Sequence, residues 1–255
     1  MKKFLRYLAL TPIAALLVFS VVIFTSQSQE AGAVIDSITK SKGAVQEEAT
    51  QTDGILVGKD KTDGSSETHE DEWNLRLVNE KNPLPDDFVP ILSEVYEGYE
   101  FDSRAVGPLR SMMKAGNEAG LQLKICSAYR TLETQAELFE KQVSGQRSKG
   151  LSEEAAITIA KRTVAYPGRS EHNLGLAVDI VSESYQLLDD GFANTKEAIW
   201  LKEHCAEYGF ILRYPEDKTD ITEIIYEPWH FRYVGVEAAT YIMENGLCLE
   251  EYLQK

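Results

Sequence analysis

The chain opens with three cations, Lys2, Lys3 and Arg6, and then runs almost unbroken apolar from Tyr7 to Thr25, the clear interruptions being Thr11-Pro12 and Ser20. Such a run is longer than a usual signal-peptide core of ~7–15 residues and close to the ~20 needed to span a bilayer. The pattern predicts an N-terminal transmembrane segment over residues 1–25, its positive flank inside and the rest exported. Ala31-Gly32-Ala33 fits a small-x-small cleavage pattern but lies several polar residues beyond the apolar run, which favours an uncleaved anchor over a cleaved signal. Residues 26–82 then lose any apolar period. Stretches such as Lys59-Asp60-Lys61-Thr62-Asp63-Gly64-Ser65-Ser66 cannot bury enough surface to offset chain entropy. They read as an acidic, polar, flexible linker, within which Trp73, Leu75, Leu77 and Val78 form a candidate docking strand.

Periodicity returns in residues 83–255. Ser103 is placed to cap a helix with Val106, Leu109, Met112 and Met113 on one side, ended by Gly120. Residues 121–128 alternate as a strand. A helix over residues 131–146 offers Ala136, Leu138, Phe139 and Val143 to a core. Another begins at Ser152 and stops near Tyr166-Pro167-Gly168. Residues 176–181 make a short buried strand. Residues 195–208 repeat Ala198, Leu201, Cys205 and Tyr208 at helical spacing, residues 210–214 and 224–233 read as strands, and helical segments follow Gly235. Helices cluster between separated strands instead of alternating with them one for one, so the expected fold class is α+β.

Charge narrows the partners. Lys+Arg 26 against Asp+Glu 41 gives a formal net charge of -15. A chain that acidic lacks the clustered cations that hold nucleic-acid phosphate. Three cysteines cannot all pair internally, and Cys126, Cys205 and Cys248 show no C-x-x-C spacing, so neither a disulfide framework nor a thiolate zinc site is supported. A Cys205–Cys248 disulfide and buried free thiols both stay open. Cys126 follows apolar Ile125 on a strand, a poor setting for a nucleophile.

Of the four histidines, His69 falls in the solvated linker and His204 in an amphipathic helix. His172 and His230 stand in unusual company. Ser170-Glu171-His172-Asn173-Leu174-Gly175-Leu176-Ala177-Val178-Asp179 places a His in a loop and an Asp in an apolar strand, where a carboxylate is unfavourable unless paired or bound to metal. A turn at Gly175 would bring both toward one point. Glu227-Pro228-Trp229-His230 supplies the second His and another carboxylate. Either stretch alone admits a structural reading, with Asp179 capping a turn and the His in polar core pockets. Together, two His and one Asp leave a fourth position open, the coordination of a catalytic zinc. Glu227 is the natural general base, and Pro228 favours the bend that turns positions three apart to one side. Two His and a carboxylate also describe non-haem iron sites, in which the ligands usually stand closer in sequence.

These residues carry a family resemblance. Cys126-Ser127-Ala128-Tyr129-Arg130-Thr131 with Gln135, then Ser170-Glu171-His172, Gly175 and Asp179, then Glu227-Pro228-Trp229-His230, resemble the VanY-type D-alanyl-D-alanine carboxypeptidases, zinc peptidases of bacterial cell-wall metabolism. The resemblance extends over about residues 82–255 with all three motifs in order. It implies an α+β fold shared with the hedgehog signalling domain, built on a central antiparallel sheet flanked by helices. It implies Zn²⁺ held by His172, Asp179 and His230, with Glu227 as base. Arg130 would be the substrate and transition-state cation, and Gln135 and Ser170 would line the substrate pocket. The expected partners are peptidoglycan stem peptides and, through residues 1–25, the membrane. The expected place is outside the cytoplasm, anchored to the cell membrane. Oligomeric state is not legible.

The leading expectation is a carboxypeptidase removing the terminal D-alanine from stem peptides. An L,D-carboxypeptidase or a peptidoglycan endopeptidase would use the same chemistry with different pocket walls. From another class comes a non-catalytic, zinc-containing wall-binding module. Glu227 separates the two classes, since a base beside an open metal position is needed for catalysis and not for binding.

Overall fold

The computed structural model describes residues 73–255; the expected anchor, His69 and most of the expected linker lie outside the described residues. No helix among the described residues is long and apolar enough to cross a membrane. The chain enters through Trp73 to Val78 in turn and irregular conformation rather than as a strand, yet Leu75 and Val78 are buried in the core. A hairpin follows, β1 (Leu92–Tyr96) and β2 (Tyr99–Asp102), turning at Gly98 with φ 81°. Its Glu- and Tyr-rich strands hide the alternation from sequence reading.

Helix α1 (Val106–Glu118) buries Val106, Leu109, Met112 and Met113 as the period predicts. It starts later than a Ser103 cap would require. The Ser103 hydroxyl pairs with Ser93 at 2.8 Å, and the Asp102 carboxylate takes the Arg104 N–H at 3.0 Å instead. Strand β3 (Leu123–Ser127) leads into α2 (Leu132–Arg147), capped by the Thr131 side chain on Thr134 N–H. Leu138, expected in the core, is half-buried, and Gln135 is buried in its stead. Ser152 caps α3 (Glu153–Ala160), which ends well before the expected stop at residues 166–168.

The short helix α4 (Glu171–Leu174) is followed by β4 (Ala177–Ser182), whose six residues are all buried. Helix α5 (Lys196–His204), capped by Thr195, tightens into a 3₁₀ turn over Cys205–Tyr208. Then come β5 (Phe210–Leu212), α6 (Thr219–Thr222), β6 (His230–Tyr233), α7 (Val236–Glu244) and α8 (Leu249–Tyr252). The strand expected over 224–233 is shorter because a turn at Pro228-Trp229 precedes it. Strands β3, β4, β6 and β5 form one antiparallel sheet in that order. The α+β class and the central antiparallel sheet are as expected. Cys205 and Cys248 are separate buried thiols, which settles the open disulfide question.

Candidate active site

Sheet register assembles the site. Asp179 on β4 lies directly opposite His230 on β6 and opposite Ser127 on β3, so these three polar side chains share one face of the sheet. His172 arrives from the next element. Ser170 caps α4 by accepting from His172 N–H at 3.3 Å, and Gly175 ends that helix at φ 83°, returning the chain into β4. His172 and His230 meet edge to face with ring centroids 4.9 Å apart. Their nitrogens and an Asp179 oxygen all lie within 4.8 Å of one another, and all three residues are buried.

The donor set fits a tetrahedral metal. Asp179 Oδ1 stands 3.3 Å from His172 Nε2 and 3.2 Å from His230 Nδ1, yet has no hydrogen-bond partner. A tetrahedral zinc with ligand bonds of about 2.0–2.1 Å separates its ligands by about 3.3 Å. His172 Nδ1 faces the Ala128 carbonyl at 2.6 Å; a carbonyl only accepts, so the proton sits on Nδ1 and the Nε2 lone pair points at Asp179. Glu227 completes the cluster. The turn at Pro228-Trp229, closed by His230 N–H on the Glu227 carbonyl at 3.1 Å, brings the Glu227 carboxylate within 3.5 Å of His230 Nδ1. Residues three apart thus face one point, as the proline implied.

Arg130 Nη2 grips Asp179 Oδ2 at 2.6 Å, leaving Oδ1 for a metal. Its Nε donates to Ser127 Oγ at 2.8 Å and its Nη1 to Gln135 Oε1 at 3.5 Å. Gln135 in turn donates to the Ala165 carbonyl at 2.7 Å. Gln135 and Ser170 are both buried. Trp229 is buried in the core. His204 sits outside, bonded to Glu207.

Protonation follows from these neighbours. Burial pushes the Glu227 carboxyl up to about 8, with Asp179 adding to the rise against the pull of His230. Burial, joined by the Arg130 charge, lowers His172 to about 4. Burial alone would also lower His230, but the Asp179 and Glu171 carboxylates outweigh it and hold the ring at about 9. Burial raises the Cys126 thiol to about 12, so it is no nucleophile.

Sequence reading assigned no role to Glu171, Arg213, Arg232 or Glu250, four buried charges beside the site. Glu171 Oε1 accepts from Arg213 Nε and Arg232 Nη1, both at 2.7 Å, and Arg213 holds Glu250 through both carboxylate oxygens at 2.7 and 2.9 Å. The signal was available. Arginines inside the apolar runs Phe210-Ile211-Leu212-Arg213 and Phe231-Arg232-Tyr233 raise the same question as Asp179: a charge there needs a partner.

The model of the VanY D-alanyl-D-alanine carboxypeptidase family matches residues 99–236, more than half of the chain, including Arg130, His172, Asp179, Glu227 and His230. The chain belongs to the VanY family. A D-alanyl-D-alanine carboxypeptidase of Enterococcus faecalis is 44% identical over 186 residues, spanning 72% of this chain and 67% of that protein. A crystal structure of the vancomycin-resistance D,D-pentapeptidase VanY in complex with Zn(II) is similar at TM-score 0.66 and 42% identity, over 71% of this chain and 99% of that one. VanYB in complex with D-alanine-D-alanine is similar at TM-score 0.66 and 43% identity, over 72% of this chain and 99% of that one.

Proposed function

We propose that this protein is a zinc-dependent D-alanyl-D-alanine carboxypeptidase, hydrolysing the terminal D-alanine from peptidoglycan stem peptides. The observation that carries it is the buried, partnerless Asp179 Oδ1 between His172 Nε2 and His230 Nδ1, with the Glu227 carboxylate alongside. Zn(II) and D-alanine-D-alanine in the two similar structures support the metal and the substrate class.

His172, Asp179 and His230 are the residues to hold zinc. When bound, zinc supplies Lewis acidity that acidifies water and polarises a carbonyl. Glu227 takes the proton of the attacking water; burial disfavours its charged form, so the carboxylate gains by accepting that proton. The same carboxyl then returns the proton to the leaving amine. Arg130, fixed by Ser127, Gln135 and Asp179, offers a rigid cation to the negative charge that develops on the scissile carbonyl oxygen. Gln135 acts through Arg130, and Ser170 sets the helix that presents His172. Burial of the whole cluster strengthens each of these charges.

The proposal extends to location. The cationic flank and apolar run of residues 1–25 support an uncleaved anchor that holds the domain outside the membrane, where stem peptides occur.

Incubation of the purified protein with a stem pentapeptide ending in D-Ala-D-Ala and with the tetrapeptide, followed by product mass, tests the reading. One D-alanine lost from the pentapeptide alone is expected. Loss only from the tetrapeptide would make it an L,D-carboxypeptidase. Cleavage within the stem would make it an endopeptidase, and no product with zinc in place would make it a binding module.

A further inference from the structure

The four buried charges beside the zinc ligands form a graded set of contacts that converges on one atom. Arg232 is held by the Asn74 and Arg76 carbonyls on Nη2, at 3.0 and 2.8 Å, and by the Tyr233 carbonyl on Nε at 2.9 Å. Arg213 is held by both oxygens of Glu250. The two arginines then converge on one oxygen of Glu171, Oε1, and the carboxylate cannot rotate without breaking both 2.7 Å bonds. Its other oxygen, Oε2, is buried and has no hydrogen-bond partner. It stands 3.6 Å from His230 Nε2, which is likewise buried and without a partner. Two orphaned buried atoms, one an acceptor and one able to donate, face each other. Leaving both unmet would be strongly unfavourable.

We propose that Glu171 is a positioning residue for His230: its Oε2 accepts a hydrogen bond from Nε2–H, fixing the tautomer that leaves the Nδ1 lone pair for the metal position beside Asp179 Oδ1. The inference rests on the zinc site proposed above. It explains why a four-charge cluster is kept in the interior, where apolar replacement is often neutral or stabilising. A metal-ligating histidine whose second nitrogen is bonded to a carboxylate is oriented and made more basic, and loss of such a partner typically lowers metal affinity about 10–100-fold. His172 obtains the same service from the Ala128 carbonyl. The two rings therefore present opposite nitrogens to the metal, Nε2 from His172 and Nδ1 from His230.

Zinc affinity of the full chain, by chelator competition, and long-range ¹H–¹⁵N correlation on the zinc-loaded protein test this. Glu171→Gln should weaken zinc binding about 10–100-fold. Glu250→Gln removes the same charge from the same cluster without touching His230, and should lower thermal stability while leaving zinc affinity within about twofold of wild type. In the wild-type protein the His230 proton should sit on Nε2. Equal zinc affinity in Glu171→Gln and wild type, or equal loss in both variants, overturns the inference while leaving the zinc site standing. If Glu171→Gln does not fold, the wild-type spectrum decides, and a His230 proton on Nδ1 overturns it. A wild-type protein that binds no zinc would overturn the site itself, and this inference with it.

Discussion

Single side chains in this site are defined by what each is denied. Asp179 Oδ1 has two histidine nitrogens within 3.3 Å and a hydrogen bond to neither. A cation is the missing partner. His230→Ala should therefore lose zinc and activity together, measured as metal content per folded chain and D-alanine release. A variant with full zinc content would remove His230 from the ligand set. Sequence reading reached Asp179 as a carboxylate in an apolar strand, Glu227 and His230 as flanks of a proline-made bend, and His172 through its spacing to Gly175 and Asp179 and the family motif they share. Glu171 escaped because it sits next to His172 in a polar stretch, where a surface glutamate is the ordinary expectation. Its burial depends on Arg213 and Arg232, far along the chain, and only tertiary structure joins them.

Elements carry these side chains to one point through two devices, sheet register and helix ends. Register is fixed by burial: a one-residue slip of β4 would turn Asp179 to the opposite face and expose its apolar neighbours to the wrong layer. The α4 end depends on Gly175 at φ 83°, a conformation that disfavours any Cβ. A Cβ there would also lie 3.1 Å from Leu92 Cδ2, a movable tip, so backbone strain outweighs the clash. Gly175→Ala should cost about 1–2 kcal/mol. Thermal unfolding would show this as a melting point lowered by roughly 2–4 °C per kcal/mol; an unchanged melting point would show that the turn tolerates a side chain. Element type was largely legible, because apolar period and the Thr131, Ser152 and Thr195 caps are local signals. Bounds were less so. Ser103 was diverted to a cross-hairpin bond, and Pro228 cut the last strand to four residues. The β1–β2 hairpin was missed because its strands are half-exposed and carry little alternation.

Across the whole described domain, the buried charge cluster ties entry segment, sheet and C-terminal helix together: Asn74 and Arg76 hold Arg232, and Glu250 of α8 holds Arg213. Burial opposes ionisation of Glu171 and Glu250, but their neighbours together outweigh it, Arg213, Arg232 and His230 at Glu171 and the charge and hydrogen bonds of Arg213 with a backbone N–H at Glu250, so each carboxyl is held below the ordinary 4.5. An unfolded chain takes up these protons near 4.5 while the folded one resists them, so the stabilisation is complete above that pH and is lost as pH falls below it. The denaturant midpoint of the metal-free protein should drop steeply between about pH 5 and 3, and Glu250→Gln should flatten part of that slope. A midpoint that is level through this window would show that the cluster contributes nothing to folding.

The central claim, that a buried carboxylate beside a His–Asp–His metal site performs hydrolysis, meets its most direct test in Glu227→Gln. Glutamine keeps the shape and hydrogen bonds of the side chain, so zinc content and folding should match wild type. It cannot take the proton of the attacking water. Release of D-alanine from a stem pentapeptide, compared at equal zinc content, should therefore fall by about 10²–10⁴-fold. Release within a few-fold of wild type would contradict the account, even with zinc confirmed at His172, Asp179 and His230.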